Sequence, residues 1–192
     1  MCSTLRLVVG LGNPGKEYES TRHNAGWLVI DKLGEQLRAN YWKNEAGAST
    51  AHVKFAGEEL ILAKPLSFMN ASGGPVSKLA AQYKIKPEDI LVVHDEMDIP
   101  LGDVRVKVGG GHAGHNGLRS IHAKLGTNTY ARVRVGVGHP QGRKAGADFV
   151  LSVPRGKDAE LFESAIAIAA DAVLCFLEDG AAVAMNKFNQ RS

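Results

Sequence analysis

Residues 5–15 read LRLVVGLGNPG, an almost uninterrupted apolar run that ends in a turn with three glycines and a proline. A second run, ILVVH at residues 90–94, has the same character. Continuous apolar runs of this length are typical of strands buried on both faces, whereas a strand with one exposed face alternates apolar and polar residues. The two runs therefore predict central strands in a sheet that helices cover on both sides.

Hydrophobic periodicity divides the rest of the chain into interleaved strands and helices. It predicts six strands, at residues 5–10, 51–55, 59–63, 90–94, 104–108 and 133–137. It also predicts five helices, at residues 24–38, 72–83, 116–125, 158–178 and 181–188. We therefore expect the α/β class, as a single three-layer α/β/α domain over residues 1–192 with a twisted mixed β-sheet flanked by helices.

The opening stretch contains a G-x-G-x-x-G pattern, from Gly10 to Gly15, which could mark a dinucleotide site. In such a site the last glycine begins a helix whose N-terminus faces the pyrophosphate. Here Pro14 lies within the turn, and residues 16–22 have no helical apolar period. Asp31, which has the spacing of a ribose-binding acid, falls inside a predicted helix. We therefore favour a strand-to-loop turn without a nucleotide.

Charge and hydropathy narrow the class of protein. The chain of 192 residues has a formal net charge of +3, with no run of 18 apolar residues and no signal-peptide pattern at its start. We therefore expect a cytoplasmic protein without a membrane partner. Residues 99–146 contain eight Lys or Arg and one acid, whereas the rest contains 15 bases and 19 acids. Such a basic segment favours a polyanionic partner, unless its bases are scattered over the surface.

Polar side chains follow two of the predicted strands. Asn13 follows the first strand and Asp95 follows the strand at 90–94. Because open α/β sheets bind ligands outside the carboxyl ends of their strands, both residues could line one site. His23 stands just before a predicted helix, where the dipole disfavours a charged imidazole. We expect a neutral base oriented by Asp95, the alternative being a helix-capping histidine and an ordinary strand-end acid.

Water is the favoured attacking group, because the chain has no G-x-S-x-G nucleophile motif. A metal-bound water is an alternative, since His94, Asp95, Glu96, His112 and His115 are of ligand types. The last two lie in a glycine-rich loop without the H-E-x-x-H helix geometry, however. We therefore expect no metal, and a metal-dependent hydrolase of another ester stays the second hypothesis.

Three asparagines, Asn13, Asn70 and Asn116, lie in turn or helix-start contexts, where Asn is common for backbone reasons alone. Beside a candidate base they permit a functional interpretation. Neutral amides both donate and accept, so together they could hold an amide or ester without selecting a side chain. The glycines of residues 109–114 could let backbone N–H groups approach a phosphate, or could serve only the turn.

Taken together, four stretches resemble the bacterial peptidyl-tRNA hydrolase family. They are GLGNPGKEYESTRHNAG, KPLSFMNASG, HDEMDIPLGDVRVKVGGGHAGHNGLRSI and RVRVGVGHP, which follow one another between residues 10 and 140. The resemblance implies a monomeric cytoplasmic enzyme that hydrolyses the ester between a peptide and the 3′-terminal ribose of tRNA. It implies neither cofactor nor metal, and a role in recycling tRNA from abandoned translation.

The resemblance also implies a role for individual residues. His23 would be the general base, Asp95 would hold it in its basic form, and Asn13 would distinguish an acylated amino group from a free one. The peptide and the 3′ end of the tRNA would be bound by Tyr18, Phe68, Met69, Asn70 and Asn116. Arg105, where the family has lysine, and Arg134 would contact phosphates. A non-catalytic RNA-binding relative is a further alternative, against which the presence of His23 and Asp95 argues.

Overall fold

The first apolar run forms β1 (Leu5–Gly10), near the centre of a seven-stranded sheet in a computed structural model that describes residues 4–190. The other strands of this part are β2 (Lys43–Glu45), β3 (Ala48–Phe55), β4 (Glu58–Pro65), β5 (Ile90–Glu96), β6 (Val104–Val108) and β7 (Ala131–Gly136). Its helices are α1 (Ala25–Gln36), α2 (Gly73–Gln82), α3 (Asn116–Leu125), α4 (Gly146–Val150), α5 (Lys157–Asp179) and α6 (Ala181–Phe188). The predicted domain of residues 1–192 begins three residues before this described part and ends two residues after it.

The sheet is mixed, with the strand order β2-β3-β4-β1-β5-β7-β6. The four strands β4, β1, β5 and β7 are parallel, and β2, β3 and β6 join the sheet through antiparallel pairings. The chain passes to one side of β1 to form β4 and returns to the other side to form β5. This reversal creates the crevice at the carboxyl ends of the strands where α/β proteins bind ligands.

Two apolar clusters separate the sheet from its helices. Val8 and Val93 lie in the cluster beneath α1, α5 and α6, whereas Val9 and Val92 lie in the cluster beneath α2 and α3. Successive side chains of β1 and β5 are therefore buried on opposite faces, as their continuous apolar runs predict. The α/β class, the three layers and the mixed sheet are confirmed.

Two short elements were not predicted from the pattern. β2 consists of Lys43, Asn44 and Glu45, an edge strand without apolar residues, which pairs with Thr50, Ser49 and Ala48. α4 spans only five residues, too few to present a helical period. The predicted strand at 51–55 begins earlier, at Ala48, because its first residues pair with the end of β4.

The first glycine of the opening pattern has a packing role. A Cβ atom on Gly10 would lie 2.1 Å from the carbonyl oxygen of Gly26, the second residue of α1. The turn after β1 continues into a short 3₁₀-helix, Lys16–Tyr18, and not into a long helix. The glycines therefore allow α1 to lie close against β1, and no nucleotide-binding helix follows the motif.

The longest helix of the described chain, α5, packs its predicted apolar stripe against the sheet. Phe162, Ala165, Ile166, Ala169 and Val173 are all buried in the cluster beneath α1, α5 and α6. Among residues 4–190, no helix is both long enough and apolar enough to cross a membrane.

Candidate active site

A cleft of about 370 Å³ lies beyond the carboxyl ends of β1, β4 and β5. It brings together residues that are widely separated in the sequence. Seven of the ten predicted site residues line it, namely Asn13, His23, Phe68, Met69, Asn70, Asp95 and Asn116. Larger grooves of about 710 and 850 Å³ lie elsewhere and contain none of the ten. The cleft is therefore the candidate active site because of the side chains that line it, although it is not the largest groove.

His23 and Asp95 are hydrogen-bonded partners. His23 lies in a one-turn 3₁₀-helix, Arg22–Asn24, directly before α1, and Asp95 is the sixth residue of β5. The Nδ1 atom of His23 lies 2.9 Å from Oδ2 of Asp95 and 3.0 Å from Oδ1. A carboxylate can only accept, so Nδ1 carries the hydrogen and Nε2 keeps its lone pair. His23 is thus held in the tautomer that can accept a proton.

A second histidine, His115, holds the same carboxylate. Its Nε2 atom lies 2.8 Å from Oδ1 of Asp95, and its Nδ1 accepts backbone N–H groups of Gly117 and Leu118 as the N-cap of α3. Since Nδ1 accepts, Nε2 must carry the hydrogen and donate to Asp95. Asp95 therefore receives N–H groups from two imidazoles and is almost completely buried.

The charge of Asp95 decides the electrostatics of the cleft. Burial raises the pKa of Asp95, but His23 and His115 outweigh burial and hold the pKa of this carboxyl well below its usual range. For His23, burial lowers the pKa, but attraction to the Asp95 carboxylate and the hydrogen bond to it prevail and raise the pKa above its usual value. The dipole at the start of α1 disfavours a charged imidazole, whereas the Asp95 carboxylate in direct contact acts on the pKa of His23 in the opposite direction.

Among residues 4–190, one group of three side chains could hold a metal ion, namely His23, Asp95 and His115. One potential ligand atom of each lies within 4.8 Å of those of the other two. As arranged, the three groups bind one another. To coordinate through Nε2, His115 would have to move its hydrogen to Nδ1, which now accepts the first N–H groups of α3. These three side chains therefore fit a hydrogen-bonded network better than a metal site. His112 lies apart, with its Nδ1 accepting from the N–H of Gly114.

Asn13 is fixed in one orientation by its neighbours. Its Oδ1 accepts the N–H of Met69 at 2.7 Å, and its backbone N–H and C=O bind the side chain of Asn24 at 2.9 and 3.0 Å. Because Oδ1 is engaged, the Nδ2 amino group is the end available to the cleft. Asn13 therefore offers the cleft a donor and not an acceptor.

The other predicted cleft residues lie around this centre. Asn70 and Asn116 are exposed at the cleft, and Oδ1 of Asn116 accepts from Arg119 at 3.3 Å, which leaves its amino group available. Phe68 is 57% exposed, and Tyr18 meets it edge to face with ring centroids 6.4 Å apart. Tyr18 thus reaches the margin of the cleft through Phe68 and does not line its floor.

Arg105 and Arg134 lie outside the cleft, directly opposite each other on β6 and β7. Lys107 and Arg132 form the next pair on the same face of the sheet. Like charges opposite one another destabilise a sheet, so their pairing here is unusual. The arrangement brings four of the eight bases of residues 99–146 together.

Two of these bases already have partners. Arg134 lies 3.7 Å from Oε1 of Glu96, beside the cleft. Arg132 is almost completely buried and donates to the carbonyl oxygens of Gly110 and Gly111 at 2.6 and 2.7 Å. Arg132 therefore fastens the glycine-rich loop that leads to His115.

Sequence reasoning missed three features of the cleft. They are the contact of His115 with Asp95, the support of Asn13 by Asn24, and the wall that α4 forms. The wall includes Gly146, Ala147 and Val150. A His directly before the predicted helix at 116–125 was a signal for an N-cap, whereas nothing local indicated that its other nitrogen would reach Asp95.

Known proteins resemble this chain over nearly its whole length. A family model described as peptidyl-tRNA hydrolase matches residues 7–192. A peptidyl-tRNA hydrolase of Frankia alni is 49% identical, with 95% of this chain and 93% of the relative covered. One from Neisseria gonorrhoeae is 47% identical, with 90% of this chain and 91% of the relative covered.

Solved structures give the same result. The crystal structure of peptidyl-tRNA hydrolase from Acinetobacter baumannii superposes with a TM-score of 0.91 at 36% identity, with 100% of this chain and 98% of that chain covered. A Campylobacter jejuni 5′-methylthioadenosine/S-adenosyl homocysteine nucleosidase superposes with a TM-score of 0.53 at 10% identity, with 93% of this chain and 100% of that chain covered. The second similarity concerns the fold alone.

Proposed function

The chain belongs to the peptidyl-tRNA hydrolase family, and we propose that it cleaves the ester between the peptide and the 3′-terminal ribose of tRNA with His23 as the general base. Hydrolysis of peptidyl-tRNA is the established chemistry of the family. The observation that carries the proposed base is the contact between His23 Nδ1 and Asp95. It leaves Nε2 as the acceptor in a cleft that also contains three amide side chains.

The reaction needs a positioned water, a base, and donors for the negative charge that develops on the ester oxygen. Nε2 of His23 accepts a proton from water while the water oxygen attacks the ester carbonyl carbon. The imidazolium then returns the proton to the departing ribose 3′-oxygen. Asp95 stabilises the imidazolium, and a base of this kind contributes about 10² to 10⁴ in rate. The amino groups of Asn70 and Asn116 are the neutral donors that we assign to the developing negative charge.

Asn13 distinguishes substrates through the donor that it presents. An acylated amino group carries a carbonyl oxygen that can accept from Nδ2 of Asn13, whereas a free α-ammonium group has only donors. The contact with Met69 fixes this orientation. Recognition of a backbone carbonyl also accounts for indifference to peptide sequence, since every peptide supplies that group.

Changing Asn13 to alanine is expected to narrow the ratio of hydrolysis rates between N-acyl-aminoacyl-tRNA and its unacylated counterpart, because the acyl carbonyl loses its donor. Asn13→Asp is a matched variant. It can still accept the N–H of Met69, but it presents an oxygen that attracts an ammonium group, so the ratio should narrow as much or more. Rates on both substrates, measured with each variant, test the role. An unaltered ratio in either variant would contradict it.

Arg105 and Arg134 are proposed to hold phosphates of the tRNA. Each neutralised phosphate releases condensed counterions, so the double change Arg105→Ala with Arg134→Ala should flatten the salt dependence of tRNA binding by about one to two units. Lys54→Ala with Lys78→Ala removes the same charge from exposed positions outside the basic segment and should leave the slope unchanged. The comparison uses binding of intact N-acyl-aminoacyl-tRNA over a range of salt concentrations.

A minimal substrate separates phosphate contact from chemistry. A substrate that ends at the 3′-terminal nucleotide lacks the distant phosphates, so the double arginine variant should hydrolyse it nearly as fast as the unchanged enzyme does. Equal losses on the minimal and intact substrates would mean that the arginines act at the ester or support the fold.

We further propose that peptidyl-tRNA is bound by a monomer in the cytoplasm, where the enzyme recycles tRNA from abandoned translation. Support for the monomer comes from the cleft, whose catalytic and amide side chains are all supplied by one chain. Light scattering of the enzyme with and without substrate measures the assembly state.

A further inference from the structure

His94 is a buried histidine that the proposed reaction does not use. It is 1% exposed and lies in β5 directly before Asp95. Its Nδ1 atom lies 2.7 Å from the carbonyl oxygen of Asp95. A carbonyl oxygen only accepts, so Nδ1 carries the hydrogen and donates. Nε2 is then unprotonated, and it makes no hydrogen bond to any described residue.

The Asp95 carbonyl, which His94 binds, lies beyond the last residue of β5 that pairs with β1. Carbonyl groups two residues apart point toward the same side of a strand, and the carbonyl of Val93 accepts the N–H of Leu11 at 3.0 Å. The pairing between β1 and β5 ends there, at Gly10 opposite Val93. The carbonyl of Asp95 therefore points past the end of β1. A buried carbonyl needs a donor, and the ring of His94 supplies one.

The same ring supports His115. The ring centroids of His94 and His115 are 5.0 Å apart at an interplanar angle of 69°, an edge-to-face contact. His94 thus touches the backbone of Asp95 and the ring of His115, the two components that hold the Asp95 carboxylate in place. Burial is the main cause that lowers the pKa of His94 to about 3, and the nearby His115 and Arg132 act in the same direction. The ring therefore adds no positive charge beside the Asp95 carboxylate.

We propose that His94 is a positioning residue for the hydrolytic reaction: by donating from Nδ1 to the Asp95 carbonyl and packing against His115, it sets the orientation of the Asp95 carboxylate toward His23. The inference rests on the proposed roles of His23 and Asp95. A displacement of a catalytic group by about 1 Å can cost about 100-fold in rate, so a residue without substrate contact can still control turnover.

Three variants separate the donor from the filling of space. His94→Asn places an amide N–H near the position of Nδ1, so its kcat should stay close to that of the unchanged enzyme. His94→Leu fills similar space without a donor, and its kcat should fall by about tenfold or more with little change in KM. His94→Gln places its amide near Nε2 instead, so it should behave like the leucine variant and carries the test if that variant does not fold.

The pH profile distinguishes positioning from loss of stability. The charged and titratable groups around His94 are Asp95, His115, Arg132 and, opposite it on β7, Arg134. If Asp95 is displaced, His23 loses the interaction that raises its pKa, so the acid limb of kcat/KM should move to lower pH in His94→Leu or His94→Gln. A merely destabilised enzyme would lose activity at every pH without moving this limb.

The measurement is kcat, KM and the pH profile for N-acyl-aminoacyl-tRNA, with thermal unfolding of each variant. Equal impairment of the asparagine and leucine variants, unchanged turnover in the leucine variant, or a lower kcat without a shift of the acid limb would each overturn the role of His94. Variants of His23 and Asp95 are measured beside them. If those two behave as proposed and only the His94 variants do not, the proposed function stands without this inference.

Discussion

Replacing His23 with alanine is expected to lower turnover of N-acyl-aminoacyl-tRNA by at least about 100-fold, with little change in substrate binding. The loss is concentrated in kcat because a general base acts mainly in the transition state. His23 is the residue whose Nε2 faces the cleft as an acceptor while Nδ1 is held by Asp95. Single-turnover rates and the binding of a non-hydrolysable analogue separate the two effects.

His52→Ala is the matched control for this variant. His52 also contacts a carboxylate, with its Nε2 3.1 Å from Glu45, but it lies on β3 outside the cleft. The His52→Ala enzyme should hydrolyse the substrate at the same rate as the unchanged enzyme. Near-normal turnover by the His23 variant would eliminate this residue as the base, and an equal loss in the His52 variant would point to a general effect on folding.

Changing Asp95 to asparagine is expected to slow turnover by up to about 100-fold, the cost of misplacing a catalytic group by about 1 Å, and so by less than the loss of His23 itself. Asparagine has one acceptor oxygen, whereas the carboxylate accepts from both His23 and His115. One imidazole must then face an amino group, which favours the wrong tautomer of His23. The accepting nitrogen is misplaced but not removed. No effect on turnover would mean that the two residues are not catalytic partners.

The same variant should also change the pH dependence. A general base works only when neutral, so activity falls as the pH drops through the pKa of His23. Since the Asp95 carboxylate raises the pKa of His23, the acid limb of kcat/KM in the unchanged enzyme should lie at higher pH than the titration of a free imidazole. In Asp95→Asn the carboxylate is gone and burial alone acts on the imidazole, so the limb should move to lower pH. If the acid limb lies at the same pH in Asp95→Asn as in the unchanged enzyme, it does not report the ionisation of His23.

The hydrophobic pattern of the sequence predicted most of the fold, because buried side chains recur at the period of the strand or helix that carries them. The continuous runs of β1 and β5 required helices on both faces, and the apolar stripe of α5 required a sheet beneath it. β2 and α4 escaped because neither buries a periodic set of side chains. β2 exists through its pairing with β3, which is a property of the neighbouring strand.

The sequence by itself determined the α/β class, the position of Asn13 and Asp95 near the ends of their strands, and, through the family resemblance, the roles expected of the cleft residues. Only the tertiary structure decided that Asp95 lies between two imidazoles, 72 residues from His23 and 20 from His115. It also decided the direction of the His23 pKa shift. Periodicity and turn chemistry act between near neighbours in the chain, whereas these contacts depend on strand order, which places β5 beside β1 and brings distant side chains within hydrogen-bonding distance.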